Sequence, residues 1–526
     1  MSNTRTIAKN TGWYSVENIV NALVSVFTSI AIARTLGPSK TGYIIYISYV
    51  ATIVANLGGF GIPSVTRKYM AEYLGRGDRG TARLIFFRTF ALQAGLATFA
   101  TLAIFLWVLR DANAQFRWAA ILIALSTWPS MVNFVPAQAN GATEDLATNV
   151  PASIASAFFY LVAIVASVVL HWGVTGIGAA LFLMRGVDFT VRFFPTIKRI
   201  LAWGTTQALP AGLRSRMIAY SWQSVATLLL ALVVWERCEV VLLKSLCTDI
   251  RQVAFYSIAF SMGNYLLLSA TIFGAAASTT IFAQFGRDRS RLHELAAASF
   301  RYLALTSIPL HFISVALAVP ALLFFYGTPY KGAALVVTIA PLLCMPKAFV
   351  APVQSLLQST ERQVYVILST VLASVIDIGV AWALIPGHGA VGACIGNGTA
   401  QIAAVGSMWA IAVHLFKIRL PWALTAKIAS ASALAALSAH LVAVRLPPLL
   451  GMLAGGCTSL LVLLILIHAL RVLEPEDRDR FLVLTKMLPG MLATPAIRIL
   501  PLLVSPTQNY KPSHSEIDIQ GYTDSL

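Results

Sequence analysis

From Trp13 to Leu470 the sequence repeats one pattern: apolar runs of about 20 residues separated by short polar breaks, each run long enough to cross the hydrocarbon core of a bilayer. In lipid every backbone N–H and C=O must be bonded internally, so only helices and closed barrels can span, and runs of this length select helices. Composition agrees, since 58% of the 526 residues are hydrophobic and only 11% are charged, against roughly 45–50% and 25% in soluble chains. The pattern predicts an all-α polytopic membrane protein with fourteen spans. They lie near 13–33, 42–62, 89–109, 117–136, 151–170, 173–194, 218–243, 253–273, 302–326, 333–353, 363–385, 389–412, 421–443 and 449–470. Soluble enzymes and nucleic-acid-binding modules are excluded.

The net charge of +17 is explained by where the cations fall. The amino terminus and every second connection carry roughly 26 of the 38 Lys and Arg, whereas the opposite loops carry roughly seven, Arg34, Lys40, Arg110, Arg117, Arg251, Lys331 and Arg445. The positive-inside rule then places both termini in the cytoplasm. Attraction to anionic headgroups is a secondary consequence. The five cysteines sit on separate spans without CxxC or Cys/His ligand spacing, so neither a metal site nor a disulfide framework nor any other cofactor is expected.

Internal repetition reduces fourteen spans to a smaller problem. Gly42-Tyr43 opens a span leading to the basic connector Arg76-Gly77-Asp78-Arg79, and Phe255-Tyr256 opens one leading to Arg287-Asp288-Arg289. Asn140-Gly141-Ala142-Thr143-Glu144 and Gln358-Ser359-Thr360-Glu361 form a second pair, at a similar offset of about 215 residues. A six-helix unit is duplicated, and because six is even the two copies run parallel about an axis along the membrane normal. The expected organisation is an N-lobe over 1–217, a C-lobe over 218–415, an accessory helical pair over 416–470 and a cytoplasmic tail over 471–526. In that tail 481–504 is apolar but interrupted by prolines, as an interfacial segment would be.

Ten ionisable residues fall within or at the edge of these spans: Glu17, Arg185, Asp188, Arg192, Glu236, Arg237, Glu239, Lys244, Lys347 and Asp377. At a helix centre each would cost roughly 2.5–3.5 kcal/mol if exposed to lipid, so they must face one another or water. Arg185, Asp188 and Arg192 share one helix face by their spacing of three and seven. Arg185 is read either as an internal partner of Asp188 or as a cavity residue contacting an anionic substrate, while Arg192, Lys244 and Lys347 are expected to snorkel. Glu236 and Glu239 lie one turn apart on the seventh span around Arg237, and Asp377 stands in mid-helix with no basic residue near it in sequence. These acids, with Asp188, are the candidates for coupling or gating. Asn56, Asn133, Asn264, Asn397 and Gln401 are expected to act as interhelical glue.

The segment Ala33-Arg34-Thr35-Leu36-Gly37-Pro38-Ser39-Lys40-Thr41-Gly42-Tyr43 resembles the opening signature of Wzx-type polysaccharide flippases, a branch of the multidrug/oligosaccharidyl-lipid/polysaccharide exporter superfamily. Gly58-Gly59-Phe60-Gly61-Ile62-Pro63, Glu236-Arg237 before Leu242-Leu243-Lys244, and Ile385-Pro386-Gly387-His388-Gly389-Ala390-Val391-Gly392-Ala393 resemble further landmarks of that family. Glu236 stands where the family more often has aspartate. The resemblance implies a flippase in the bacterial inner membrane that moves undecaprenyl-pyrophosphate-linked oligosaccharide to the periplasmic leaflet by alternating access. Arg185, Arg237 and Arg34 are the candidate substrate-binding residues, with membrane lipids and polysaccharide polymerase machinery as partners, and the resemblance implies coupling to H+ or Na+. The alternatives are a drug/cation antiporter of the same superfamily and a glycan polymerase or ligase, the latter at odds with outer loops of about ten residues.

Overall fold

The computed structural model describes residues 2–473, apart from 112, 144, 206–207 and 288–291. The expected interfacial segment 481–504 and the rest of the tail lie outside the described residues. Eighteen α-helices and no strands occur among those residues: α1 (Ser2–Gly58), α2 (Ile62–Gly75), α3 (Arg79–Asp111), α4 (Arg117–Val132), α5 (Phe134–Ala142), α6 (Val150–Val169), α7 (Gly173–Leu201), α8 (Leu213–Val234), α9 (Glu239–Leu246), α10 (Arg251–Leu266), α11 (Leu268–Arg287), α12 (Leu292–Phe325), α13 (Ala334–Cys344), α14 (Val350–Ser359), α15 (Gln363–His388), α16 (Ala390–Phe416), α17 (Trp422–Ala443) and α18 (Pro448–Ala469). Twelve helical runs are long and apolar enough to cross a bilayer, or thirteen if α10 and α11, bent by 44°, make one span.

That count departs from fourteen in a specific place. The first two expected spans form one helical run, Glu17–Gly58, inside which Gly37 alone leaves helical geometry (φ 71°, ψ 172°). The sequence there offers Gly-Pro, which breaks helical hydrogen bonding without a loop to separate the halves. A second departure is at the expected span 218–243. Its helix stops at Val234 and restarts at Glu239, leaving Trp235, Glu236, Arg237 and Cys238 outside regular helix.

Other breaks recur at a common spacing. The chain breaks at Gly59–Gly61 and at Asn133, and about 210 residues further on it breaks again at Leu267 and between Met345 and Phe349. Among the first seven helices, one core joins Ile44, Ile123, Ile164 and Ile177, and another joins Tyr69, Met70, Phe86 and Ile200. In the later helices Phe300 lies 5.1 Å from the Trp409 ring, whose indole donates to the Phe349 carbonyl at 3.0 Å. A further core crosses between these groups: Ala33 and Tyr49 of α1 pack with Val240, Tyr256, Tyr330 and Ala393. The pair α17–α18 seats on α12 through Ala316, Ala436 and Ala439, the small-residue contact that lets helices approach closely in a membrane.

Candidate functional site

Where α1, α6 and α7 face α10 and the break between α8 and α9, the helices leave a cavity of 490 Å³. Its wall is rich in hydroxyls and amides, including Ser29, Ser48, Thr52, Ser257 and Asn264, and it carries three charged side chains, Arg185, Glu236 and Arg237. Arg185 enters from α7, half-buried and without a hydrogen-bond partner among the described residues. Arg237 enters from the opposite side, its guanidinium 5.8 Å from the ring centres of both Tyr49 and Phe260. Aromatic faces hold a cation while leaving its N–H groups free for another acceptor.

Arg185 makes no direct contact with Asp188, which is hydrogen-bonded elsewhere. The expected Arg185–Asp188 pair does not form; Asp188 bonds Arg192 one turn on at 2.6 Å and accepts from the Asn133 amide at 2.6 Å. Nor does Arg192 snorkel. It is buried, reaching Ser153 at 3.3 Å, and Ser153 in turn donates to Glu17 of α1. The α7 face continues with Thr196 on Asn140 at 3.0 Å and Arg199 on Asp145 at 2.8 Å. One polar stripe thus ties α7 to α1, α5 and α6, and its last free cation faces the cavity.

The broken helix is held by groups that satisfy its loosened carbonyls. Lys347 donates to the Trp235 carbonyl at 2.9 Å instead of snorkelling, and Asn397 donates to the Glu236 carbonyl at 3.3 Å. Irregular backbone at membrane depth survives only with such partners or beside a wet cavity, and here the partners are present and the break borders the hydroxyl-lined cavity. The break also separates the two acids expected on one helix turn. Glu236 lines the cavity, whereas Glu239 begins α9 fully buried, accepting from Tyr256 at 2.6 Å.

Asp377 is equally buried, and its partner comes from α9 rather than from its own helix. Cys238, Glu239 and Asp377 place a sulfur and two carboxylate oxygens within 4.8 Å of one another. Glu239 Oε1 and Asp377 Oδ1 have no hydrogen-bond donor among the described residues. Two carboxylates so close in a dry site cannot both be bare anions; a proton or a cation has to sit with them. The spacing of 138 residues between these acids hid the pairing in the sequence. All five cysteines are free thiols.

Arg34 stands apart from these residues. Its Nε donates to the Phe325 carbonyl at 2.7 Å and its Nη2 to that of Phe324, so it closes the C-terminal end of α12 and is not part of the cavity wall.

No family model and no curated protein matches the sequence. Solved structures do share the fold. The chain is similar to the lipid II flippase MurJ in an inward closed conformation, with a TM-score of 0.67 at 14% identity over 86% of this chain and 97% of that one. It is also similar to an inward-facing multidrug resistance MATE family transporter of the MOP superfamily, with a TM-score of 0.61 at 14% identity over 76% and 95% of the two chains. A MOP superfamily transporter from Pyrococcus furiosus gives a TM-score of 0.55 at 14% identity over 78% and 96%. All three are transporters rather than enzymes, and this chain shares their fold.

Proposed function

We propose that this chain is a flippase moving undecaprenyl-pyrophosphate-linked oligosaccharide from the cytoplasmic to the periplasmic leaflet of a bacterial inner membrane. Two lobes, 1–217 and 218–415, alternate about the cavity, with 416–470 as an accessory pair and both termini cytoplasmic. Dividing the first helical run at Gly37 and taking α10–α11 as one span brings the count to fourteen. The observation that carries the reading is the pair of arginines entering one hydroxyl-lined cavity from opposite lobes, each with donors free for an anion. A diphosphate with sugars attached cannot shed its water in hydrocarbon, and planar guanidinium forks suit its oxygens. The Glu239–Asp377 contact supplies a place where H+ or Na+ could bias one conformation over the other.

The test is translocation of a lipid-linked oligosaccharide in proteoliposomes, read as the sugar becoming accessible to an added glycosidase. Arg185→Lys keeps charge but loses the fork and should lower the rate partially, whereas Arg185→Ala should lower it at least tenfold. Full translocation by Arg185→Ala at normal expression would remove Arg185 from the site. A second reading, a drug/cation antiporter, is favoured by the same pair of buried acids; drug uptake without oligosaccharide movement in these vesicles would select it.

A further inference from the structure

A second concavity of 330 Å³ lies on the outside of the molecule, between α2 and α3 on one side and the first half of α8 on the other. It shares no lining residue with the central cavity. Its wall is almost entirely apolar, and four of its large side chains are well exposed: Phe60 at 46%, Leu92 at 57%, Ile218 at 51% and Trp222 at 63%. Two arginines, Arg88 and Arg214, complete the lining. Both are exposed and have no ion-pair or hydrogen-bond partner among the described residues. Their neighbours are engaged: Arg216 and Arg76 bond Glu72, and Arg83 bonds the carbonyls of Leu201 and Trp203.

The shape is built into the backbone. Phe60 holds a positive φ of 43°, a conformation that costs a non-glycine residue energy and persists only where the surroundings impose it. The constraint is visible next door. Ser221 of α8 donates to the Phe60 carbonyl, and a Cβ on Gly61 (φ 71°) would lie 2.6 Å from the Ser221 carbonyl oxygen. That close approach turns the Phe60 ring outward, edge-on to Trp222 at 6.2 Å.

We propose that this groove binds an anionic phospholipid, its phosphate between Arg88 and Arg214 and an acyl chain along Phe60, Leu92, Ile218 and Trp222. Charge decides the class. An apolar trough with two unpaired guanidinium groups complements a headgroup carrying net negative charge beside a hydrocarbon tail, and basic pockets between membrane helices take such headgroups. A zwitterionic lipid would bring its ammonium toward the same two arginines and lose that advantage. The groove lies between α8 and the α2–α3 pair, so its occupant would brace α8 against α2.

Trp222 supplies the reporter. The full chain is reconstituted with brominated phosphatidylglycerol or brominated phosphatidylcholine, and the Trp222 contribution is taken as the emission lost in Trp222→Phe. Half-quenching is expected at a phosphatidylglycerol fraction roughly fivefold below that for phosphatidylcholine. The preference should fall to about parity in Arg88→Gln/Arg214→Gln, take an intermediate value in either single variant, and survive in Arg88→Lys/Arg214→Lys. Equal quenching by the two lipids in the unmodified chain overturns the proposal. So does a preference untouched by the double Gln change, which would be general attraction to a basic surface, and so does complete displacement by polyprenyl diphosphate at equimolar lipid, which would make the groove part of the substrate path. None of these readings depends on transport, so the lipid site and the flippase function fail separately.

Discussion

Two carboxylates no more than 4.8 Å apart repel by roughly 3 kcal/mol or more at an effective dielectric of about 20, on top of the loss of water each suffers on burial. Under the proposed function, Glu239 and Asp377 are the residues where ion or proton occupancy would feed into conformation. Asp377→Asn keeps the volume and can donate to Glu239, so expression and substrate binding should persist while gradient-driven transport is lost. Substrate exchange without a gradient, compared with uptake driven by a pH or sodium gradient, checks it; equal loss of both would make the pair structural. Arg185 and Arg192 provide the contrasting case on one helix face. Arg192→Ala leaves the half-buried Asp188 carboxylate with the Asn133 amide but no cation and should cost about 2–3 kcal/mol in detergent unfolding. Arg185→Ala removes a side chain that makes no hydrogen bond among the described residues and should change stability by less than about 1 kcal/mol while abolishing most transport.

Elements meet here through backbone contact at small residues, and the tolerance is narrow. A Cβ on Gly392 of α16 would come within 2.6 Å of the Leu384 backbone carbonyl carbon in α15, so neither side can yield as a flexible side chain would. Gly392→Ala should destabilise the pair by roughly 1–3 kcal/mol, seen as lower monodisperse yield and a lower unfolding temperature. Helix α3 is set by a different device. Asp78 caps it, accepting from the Thr81 N–H at 2.9 Å, and the hydrogen bonds from Thr81 hold its carboxyl below the usual 3.8. A depressed acid stabilises the fold above its unfolded value and loses that contribution as pH falls through the folded one. Asp78→Ala should therefore cost about 1 kcal/mol near neutrality, and the difference from the unmodified protein should disappear only below pH 3.8. Unfolding curves at pH 7 and in acid test the sign.

At the scale of the whole molecule the basic residues bear on orientation, and the prediction is one of sidedness. Single cysteines replacing Arg79, Arg362 or Lys417 should be labelled from the cytoplasm, and those replacing Lys331 or Arg445 from the other side. Labelling Arg79 and Arg362 positions from opposite faces would overturn the parallel-repeat arrangement. Within that arrangement the cavity belongs to neither group of helices alone. Arg185 is supplied by α7 and Arg237 by the α8–α9 break, so the site exists only when the two groups close on each other.

Hydrophobic run length and the alternating cations were enough to predict a helical, multi-span membrane protein, because a bilayer imposes those patterns on each segment separately. The charged candidates were legible for the same reason: an ionisable residue inside an apolar run is costly wherever it points. What each charge does was not legible. Arg185 and Asp188 had the spacing of a pair, yet Asn133 and Arg192 took the aspartate and left the arginine to the cavity. Arg34 donates to the carbonyls at the end of α12, and the Glu236–Glu239 turn was split by a helix break that Lys347 and Asn397 stabilise. Glu239 and Asp377 meet only because α9 packs on α15. Partner choice among buried polar groups is settled by contacts between segments distant in sequence, and these come into being only when the helices assemble.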